Sequence, residues 1–278
     1  MNILMAVDSA YVKHAKVTIF SVAYHNPEHL CLYLLHSGLK QGELQSLGNF
    51  VRRRCHGKLI PVFLDREQFK KLPIRGHFSR ETYYRIYAPY LLPAAVERIL
   101  WLDADLVVKK SLKSLYEKDF DGKCLIACEN AKDSVEESVR RLGLKRAKYF
   151  NAGVLLMNLR AMREYADKER LEAFVYDNLS LFLWQDQDIL NLFFEDSCLF
   201  ADSRYNCQVP AGESFEEKAV QEAAVLHYVG GLKPWSHAYI WKIREYYGFY
   251  LKKVSLPRYI ALQTVFGLYR LWKKRQKI

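Results

Sequence analysis

The sequence has no G-x-G-x-x-G turn after its first apolar run and no G-x-x-x-x-G-K-[ST] loop in its 278 residues. A nucleotide bound to such a chain has no glycine loop to cradle its phosphates, so something else must neutralise them. The six cysteines never fall as C-x-x-C, which excludes the compact zinc clusters of ribbons and fingers. Cys124 and Cys128 flank an apolar run and read as buried free thiols. No run of 18 apolar residues is present, so no membrane-spanning helix is expected. Met1 to Ala6 has neither a basic leader nor a long apolar stretch and reads as a strand rather than a signal peptide. These features together point to a reducing cytoplasm. No serine- and glycine-rich linker, internal repeat or low-complexity stretch divides the chain.

What is present is a core-forming composition, 50% hydrophobic and 26% charged, which excludes global disorder. The formal net charge of +11 is unevenly placed. Eight basic residues and no acid lie between Lys252 and the end: Lys252, Lys253, Arg258, Arg270, Lys273, Lys274, Arg275 and Lys277. The body before them is therefore near neutral. That argues against nucleic acid as a partner, since tracking a phosphate backbone needs a basic face.

Short apolar runs alternate with segments of helical spacing. Strands are expected at 2–8, 30–36, 59–64, 98–102, 125–128, 154–157 and 225–228. Helices are expected at 12–24, 42–54, from Ser79 as a possible cap to about Pro93, 135–142, 160–179, 186–194 and 241–253. This alternation predicts right-handed βαβ units and a Rossmann-like, mixed but mostly parallel sheet flanked by helices. The division expected is a single catalytic body over residues 1–256 and a basic helical tail over 257–278.

Four clusters carry chemistry. Asp103-Ala104-Asp105 follows the apolar strand Ile99-Leu100-Trp101-Leu102. Residues i and i+2 share a face of a strand, so both acids can aim at one hard divalent cation, Mg²⁺ or Mn²⁺, in the crevice at the sheet's carboxyl end. The plainer reading is a solvated acidic turn. His227 closes a late strand and leads into Tyr228-Val229-Gly230-Gly231-Leu232-Lys233-Pro234-Trp235. It is a candidate ligand for the same ion, or an ordinary core or surface histidine. Gly230 and Gly231 allow close backbone approach, and Lys233 offers a point charge to a phosphate. Asn151, within Phe150-Asn151-Ala152-Gly153-Val154, can bond sugar hydroxyls. Asp186 and Gln187 open a helix; Asp186 is either an N-cap or a ligand group. Asp188 suits the helix dipole and reads as structural.

In this order and spacing, with Met5-Ala6-Val7-Asp8 and Tyr83-Tyr84-Arg85, the clusters resemble glycosyltransferase family 8 over roughly residues 1–240. The family includes bacterial lipopolysaccharide galactosyl- and glucosyltransferases. The resemblance implies a GT-A fold and a retaining, metal-dependent transfer of a hexose from UDP-galactose or UDP-glucose to a saccharide, glycolipid or glycoprotein acceptor in cell-surface polysaccharide synthesis. By matching positions it implies that Ala6, Asp8 and Tyr11 hold the uracil. It implies that Asp103, Asp105 and His227 ligate Mn²⁺, with Ala104 between the acids, and that Gly230 and Lys233 hold phosphate oxygens. Arg85, Asn151, Asp186 and Gln187 surround the transferred sugar, with Gln187 under its reacting face. The chain departs from the galactosyltransferase branch at Ser9-Ala10, where the branch has an Asn, and at Asn130, where it has an Asp.

Leu262, Val265, Phe266, Tyr269 and Trp272 recur at helical spacing before Lys273-Lys274-Arg275-Gln276-Lys277. A basic helix with an aromatic face suits the surface of an anionic membrane, here the inner face of the cell membrane. The alternative is a terminal helix packed on the body. Two other functions fit parts of the pattern: a nucleotidyltransferase that makes a nucleotide-sugar, and a non-catalytic basic membrane-binding protein. The first normally carries a glycine-rich loop near its first strand, which this chain lacks.

Overall fold

The computed structural model describes residues 1–69, 72, 80–131, 135–211, 216–239 and 242–275. Ten strands form among them: β1 (Asn2–Ala6), β2 (Leu30–His36), β3 (Gly57–Phe63), β4 (Arg98–Leu102), β5 (Leu106–Val108), β6 (Leu125–Glu129), β7 (Phe150–Asn158), β8 (Cys198–Ala201), β9 (Cys207–Gln208) and β10 (Val225–His227). Seven make one sheet in the order β3-β2-β1-β4-β7-β6-β8. Four of its neighbouring pairs run parallel, and β7 is antiparallel to both β4 and β6. The expected mixed, mostly parallel sheet is therefore what forms.

Both faces of the sheet are buried, which explains why its strands are almost uniformly apolar. Successive residues point to opposite sides. Ile3, Met5, Leu32, Leu34, Leu100 and Leu102 pack under the helices Val12–His25 and Gln41–Arg54. Leu4, Leu35, Ile99, Trp101, Leu155 and Met157 pack under the helices Leu159–Tyr165, Lys168–Asp177 and Asp186–Phe193. Cys124 and Cys128 are buried free thiols, and burial pushes Cys128 up to about 12.

The chain passes from β1 outward to β2 and β3, then returns to place β4 on the other side of β1. The order reverses there, and the carboxyl ends of β1 and β4 part to leave the crevice where open α/β sheets bind ligands. A second, three-stranded sheet, β5-β10-β9, closes this edge. Its antiparallel register pairs His227 with Leu106, directly beyond Asp105.

Three of the expected helices differ from the sequence-based expectation, and the strands β5, β8 and β9 were not expected. In place of an α-helix up to Pro93 there is a 3-10 turn, Arg80–Tyr87, followed by the short α-turn Ala88–Leu91. At three residues per turn, Tyr84 and Tyr87 both reach Phe69, at 4.8 and 5.2 Å between ring centroids, and Arg85 Nε donates to the Thr82 carbonyl at 3.1 Å. The proposed cap Ser79 lies outside the described residues. The helix expected over 160–179 is two helices, each with its own cap: Asn158 accepts from the Ala161 amide at 3.1 Å, and Asp167 from the Arg170 amide at 2.8 Å. The late amphipathic helix is Arg244–Val254, with Trp241 outside the described residues.

The tail forms the helix Leu256–Arg275, with Gln276 to Ile278 outside the described residues. Its apolar stripe is shared between two directions. Leu262 packs on the core, Phe266 lies 3.8 Å from the Arg244 guanidinium and Tyr269 meets His237 at 5.5 Å. Val265 and Trp272 are exposed. No helix among the described residues is long and apolar enough to cross a membrane.

Asp188 holds the carboxyl edge together. It is fully buried, and it accepts from Arg141 Nη1 and Nη2 (2.9 and 3.0 Å), Tyr149 Oη (2.5 Å) and the amides of Leu183 and Trp184 (2.7 and 2.8 Å). Burial, reinforced by Asp188, keeps the Tyr149 hydroxyl far above its ordinary range, so it remains a donor. Asp188→Ala strands these donors and is expected to cost about 3–5 kcal/mol in urea unfolding. A loss below about 1 kcal/mol would show that the clamp is dispensable.

Candidate active site at the carboxyl edge

Asp103 and Asp105 follow β4 as expected, and β7 and β10 bring the other groups to them. The Asp103 amide donates to the Gly153 carbonyl at 2.9 Å, and the Tyr228 amide donates to the Asp105 carbonyl at 3.0 Å. These two bonds tie the acidic turn to the Asn151–Gly153 segment and to the end of β10. His227 Nε2 then lies 3.3 Å from Asp105 Oδ1 and 3.7 Å from Asp103 Oδ2. One ligand atom from each of the three residues lies within 4.8 Å of the others.

The chemistry of these atoms fits a cation. Asp105 Oδ1 is buried and accepts no hydrogen bond, which is costly for a carboxylate oxygen. His227 Nδ1 faces Asn206 Oδ1 at 3.0 Å. A neutral imidazole that donates there turns its Nε2 lone pair toward the two acids. Gly153 makes room: a Cβ on it would sit 2.2 Å from His227 Cε1 and 3.0 Å from Asp103 Oδ2. Hard oxygen ligands with one imidazole suit Mn²⁺ or Mg²⁺.

Fixed charges surround the three. Arg85 bridges two acids, with Nη2 3.0 Å from Asp103 Oδ1 and Nε 2.9 Å from Asp186 Oδ2. It also donates to the Ala152 carbonyl and stacks 4.4 Å over the Trp101 ring. The Trp101 indole N–H donates to Asp103 Oδ1 at 2.8 Å. Lys233 Nζ meets Asp105 Oδ2 at 2.6 Å and the Tyr228 carbonyl at 2.8 Å. An ammonium has three donors, so one remains for a further acceptor.

Burial pushes the Asp105 carboxyl up, but the Lys233 ammonium, joined by His227 when its ring carries both protons, more than offsets it and holds it well below the usual carboxylate range. Asp186 goes the other way, up to about 7. Burial is the largest cause; Arg85 opposes it and Asp103 adds to it. Three carboxylates face two fixed cations here, so one proton is held in the absence of another positive charge.

Asp186 is not an N-cap. The cap position belongs to Gln185, and Asp186 is the first helical residue, buried against Arg85. Gln185 is buried with φ 47° and ψ −120°, a strained conformation for a residue with a side chain, held by the surrounding contacts. Gln187 Oε1 accepts from Asn151 Nδ2 at 3.1 Å and from the Ala152 amide at 3.0 Å.

On the other side of the crevice, Ala6 ends β1 and Asp8 Oδ1 accepts from the Tyr11 amide at 2.9 Å. The Tyr11 ring meets Trp235 edge-on at 5.6 Å, and His14 stacks on Trp235 at 3.7 Å. Burial first, then Asp105, Asp8 and Asp103, raise the Tyr11 phenol to about 12. Ala104 is buried between the acids, and its carbonyl is 3.0 Å from Thr18 Oγ1. Gly230 has φ +84°, which a side chain would strain. Tyr11, Arg85, Asp103, Asp105, Asn151, Asp186, Gln187, His227 and Lys233 thus gather at one edge of the sheet. Trp101, Tyr149 and Asn206 were not singled out: the bonds of Tyr149 and Asn206 cross from one strand or turn to another, and Trp101 reads as one more apolar residue of β4.

The model of the glycosyl transferase family 8 matches residues 2–238, and the chain belongs to that family. It is 28% identical over 254 residues to glycosyltransferase GlyF of Streptococcus pneumoniae, covering 90% of this chain and 61% of that protein. It is 24% identical over 258 residues to the lipopolysaccharide 1,2-glucosyltransferase of Escherichia coli K12, covering 89% and 76%. The crystal structure of galactosyltransferase LgtC in complex with donor and acceptor sugar analogues superposes with a TM-score of 0.79 at 25% identity, covering 92% of this chain and 96% of that one. The fold is thus GT-A, and the chain is a glycosyltransferase.

The raised Asp186 carboxyl sets a pH dependence. Its folded value near 7 lies above the ordinary 3.8, so the folded state binds the extra proton and stability falls as pH rises from about 4 to 7. In metal-free buffer Asp186→Asn is expected to flatten the decline in Tm between pH 5 and 7.5. An unchanged slope would place the proton elsewhere.

Proposed function

We propose that this chain transfers galactose or glucose from its UDP-sugar to a saccharide or lipid-linked glycan acceptor in cell-surface polysaccharide synthesis, with retention of anomeric configuration. The observation that carries this is the convergence of Asp103, Asp105 and the His227 lone pair beside Lys233 at one end of the crevice, with Arg85, Asn151, Asp186 and Gln187 beside it. The names of the relatives, lipopolysaccharide glucosyltransferase among them, support the same class of acceptor.

Asp103, Asp105 and His227 would hold Mn²⁺ or Mg²⁺, which supplies positive charge to the diphosphate as it leaves. Lys233 directs its remaining N–H to a phosphate oxygen, and Gly230 lets the backbone approach closely. Ala6, Asp8 and Tyr11 form the uracil end. Arg85 and Asn151 orient the hexose. A protonated Asp186 can donate to a sugar hydroxyl.

The hydrogen bonds support retention without a protein nucleophile. The Gln187 amide oxygen is occupied by two donors, and an amide is a poor nucleophile at best. Asp186 is tied to Arg85 Nε at 2.9 Å. The acceptor hydroxyl therefore attacks from the face that UDP leaves, and the departing phosphate takes its proton.

The catalytic body spans residues 1–256, and residues 257–278 form the element that meets the cytoplasmic face of the membrane. On the helix Leu256–Arg275, Leu256, Ile260, Val265, Leu268, Leu271 and Trp272 are exposed on the side away from the body. No acid interrupts the basic residues from Lys252 onward. An apolar outer face with uncompensated positive charge suits an anionic bilayer surface.

With a panel of UDP-sugars, UDP release is expected to require Mn²⁺ or Mg²⁺, stop with EDTA, and fall about 100-fold or more in Asp103→Ala. Pyrophosphate as product would point to nucleotidyl transfer instead, and no release with any sugar or metal would contradict the proposal. Removing residues 257–278 is expected to preserve UDP binding and abolish co-sedimentation with anionic vesicles. Undiminished co-sedimentation would exclude the tail as the membrane element.

A further inference from the structure

We infer that Asn206 is a positioning residue: it sets the His227 tautomer, and it links the metal centre to the amide beneath the transferred sugar. This rests on the metal reading above. Asn206 is 1% exposed. It closes the 3-10 turn Ser203–Asn206, anchored where Asp202 accepts from the Arg204 amide at 2.9 Å. The turn leads into β9, which runs parallel to β10 with Cys207 opposite Leu226. In that register His227 lies opposite Gln208, and Asn206, two residues earlier, reaches it through its side chain, Oδ1 to Nδ1 at 3.0 Å.

Two backbone amides fix the direction of the chain of hydrogen bonds. The Ala152 amide can only donate, so the Gln187 atom facing it at 3.0 Å is the carbonyl oxygen. The Gly153 amide can only donate, so the Asn151 atom facing it at 2.9 Å is also an oxygen. Asn151 then turns its NH₂ to Gln187 Oε1 at 3.1 Å. An oxygen on Asn151 requires an NH₂ from Asn206, which donates at 2.9 Å. The Asn206 oxygen is left facing His227 Nδ1 at 3.0 Å, so that nitrogen carries the proton. Nε2 keeps its lone pair for the site between the acids. Amides in β7 thereby dictate which imidazole nitrogen is a ligand, through Asn151 and then Asn206, and Asn206 stands outside the residues placed around the sugar. Outer partners of this kind orient the ligand and tune its affinity.

Mn²⁺ binding to the full chain with UDP present, followed by the electron paramagnetic resonance of free Mn²⁺, separates the possibilities. Asn206→Ala, with its fold verified by circular dichroism and Tm, is expected to weaken Mn²⁺ binding about 10–100-fold. Asn206→Asp keeps an acceptor for Nδ1–H and is expected to retain wild-type affinity within about threefold. Its second oxygen opposes the Asn151 oxygen, so its transfer rate falls although the metal still binds. Equal Mn²⁺ affinity in wild type and Asn206→Ala would overturn the inference, as would an equal loss in both variants. Absence of Mn²⁺ binding in the wild type itself would instead remove the metal reading, and this inference with it.

Discussion

Asp105 is a largely buried carboxylate at the point where the strand order reverses, and much of the site is arranged around keeping it charged. Burial alone would protonate it. Lys233, reaching back from the loop after β10, reverses that tendency. The small sheet β5-β10-β9 exists where it does because β5 continues directly from Asp105 and pairs with β10. One antiparallel register therefore delivers a histidine to within 3.3 Å of the acid. The second acid, Asp103, is held separately by Arg85 and the Trp101 indole. Two carboxylates with distinct partners keep their oxygens directed at the same small volume.

The surrounding charges are nearly balanced. Asp103, Asp105 and Asp186 outnumber Arg85 and Lys233 by one, and the shortfall shows itself as the raised Asp186 carboxyl. A divalent cation and a diphosphate entering together change this balance little, so the same residues tolerate the site both filled and unfilled. The rigid base beneath comes from Asp188, whose five hydrogen bonds hold the segment in which Gln185 adopts a strained conformation and Asp186 and Gln187 point into the crevice. Asp186 and Asp188 stand two residues apart with opposite duties, one at the site and one structural.

Much of this was readable from the residues. Apolar runs ending in acids at Asp8 and Asp103 reveal strands whose carboxyl ends gather at one edge, because parallel strands must align that way. Gly153 was legible only as part of a motif; its reason, room for the His227 ring, required the packing. The antiparallel direction of β7 was not legible, since a strand buried on both faces carries no directional signal. The 3-10 turn over Arg80–Tyr87 was hidden because its aromatics also suit an α-helix; the three-residue repeat is imposed by Phe69. Asn206 escaped notice for a related reason. Its partners lie 55 and 21 residues away in sequence, and nothing nearby distinguishes it from a turn asparagine.

The central claim is that Asp103, Asp105 and His227 converge to hold one divalent cation. Anomalous diffraction at the manganese edge from crystals grown with Mn²⁺ and UDP tests it most directly. The account predicts a single strong peak in this crevice, about 2.0–2.3 Å from an oxygen of each acid and from His227 Nε2. A map without a peak there, or with His227 Nε2 bonded to Asp105 through a proton and the metal elsewhere, would contradict it.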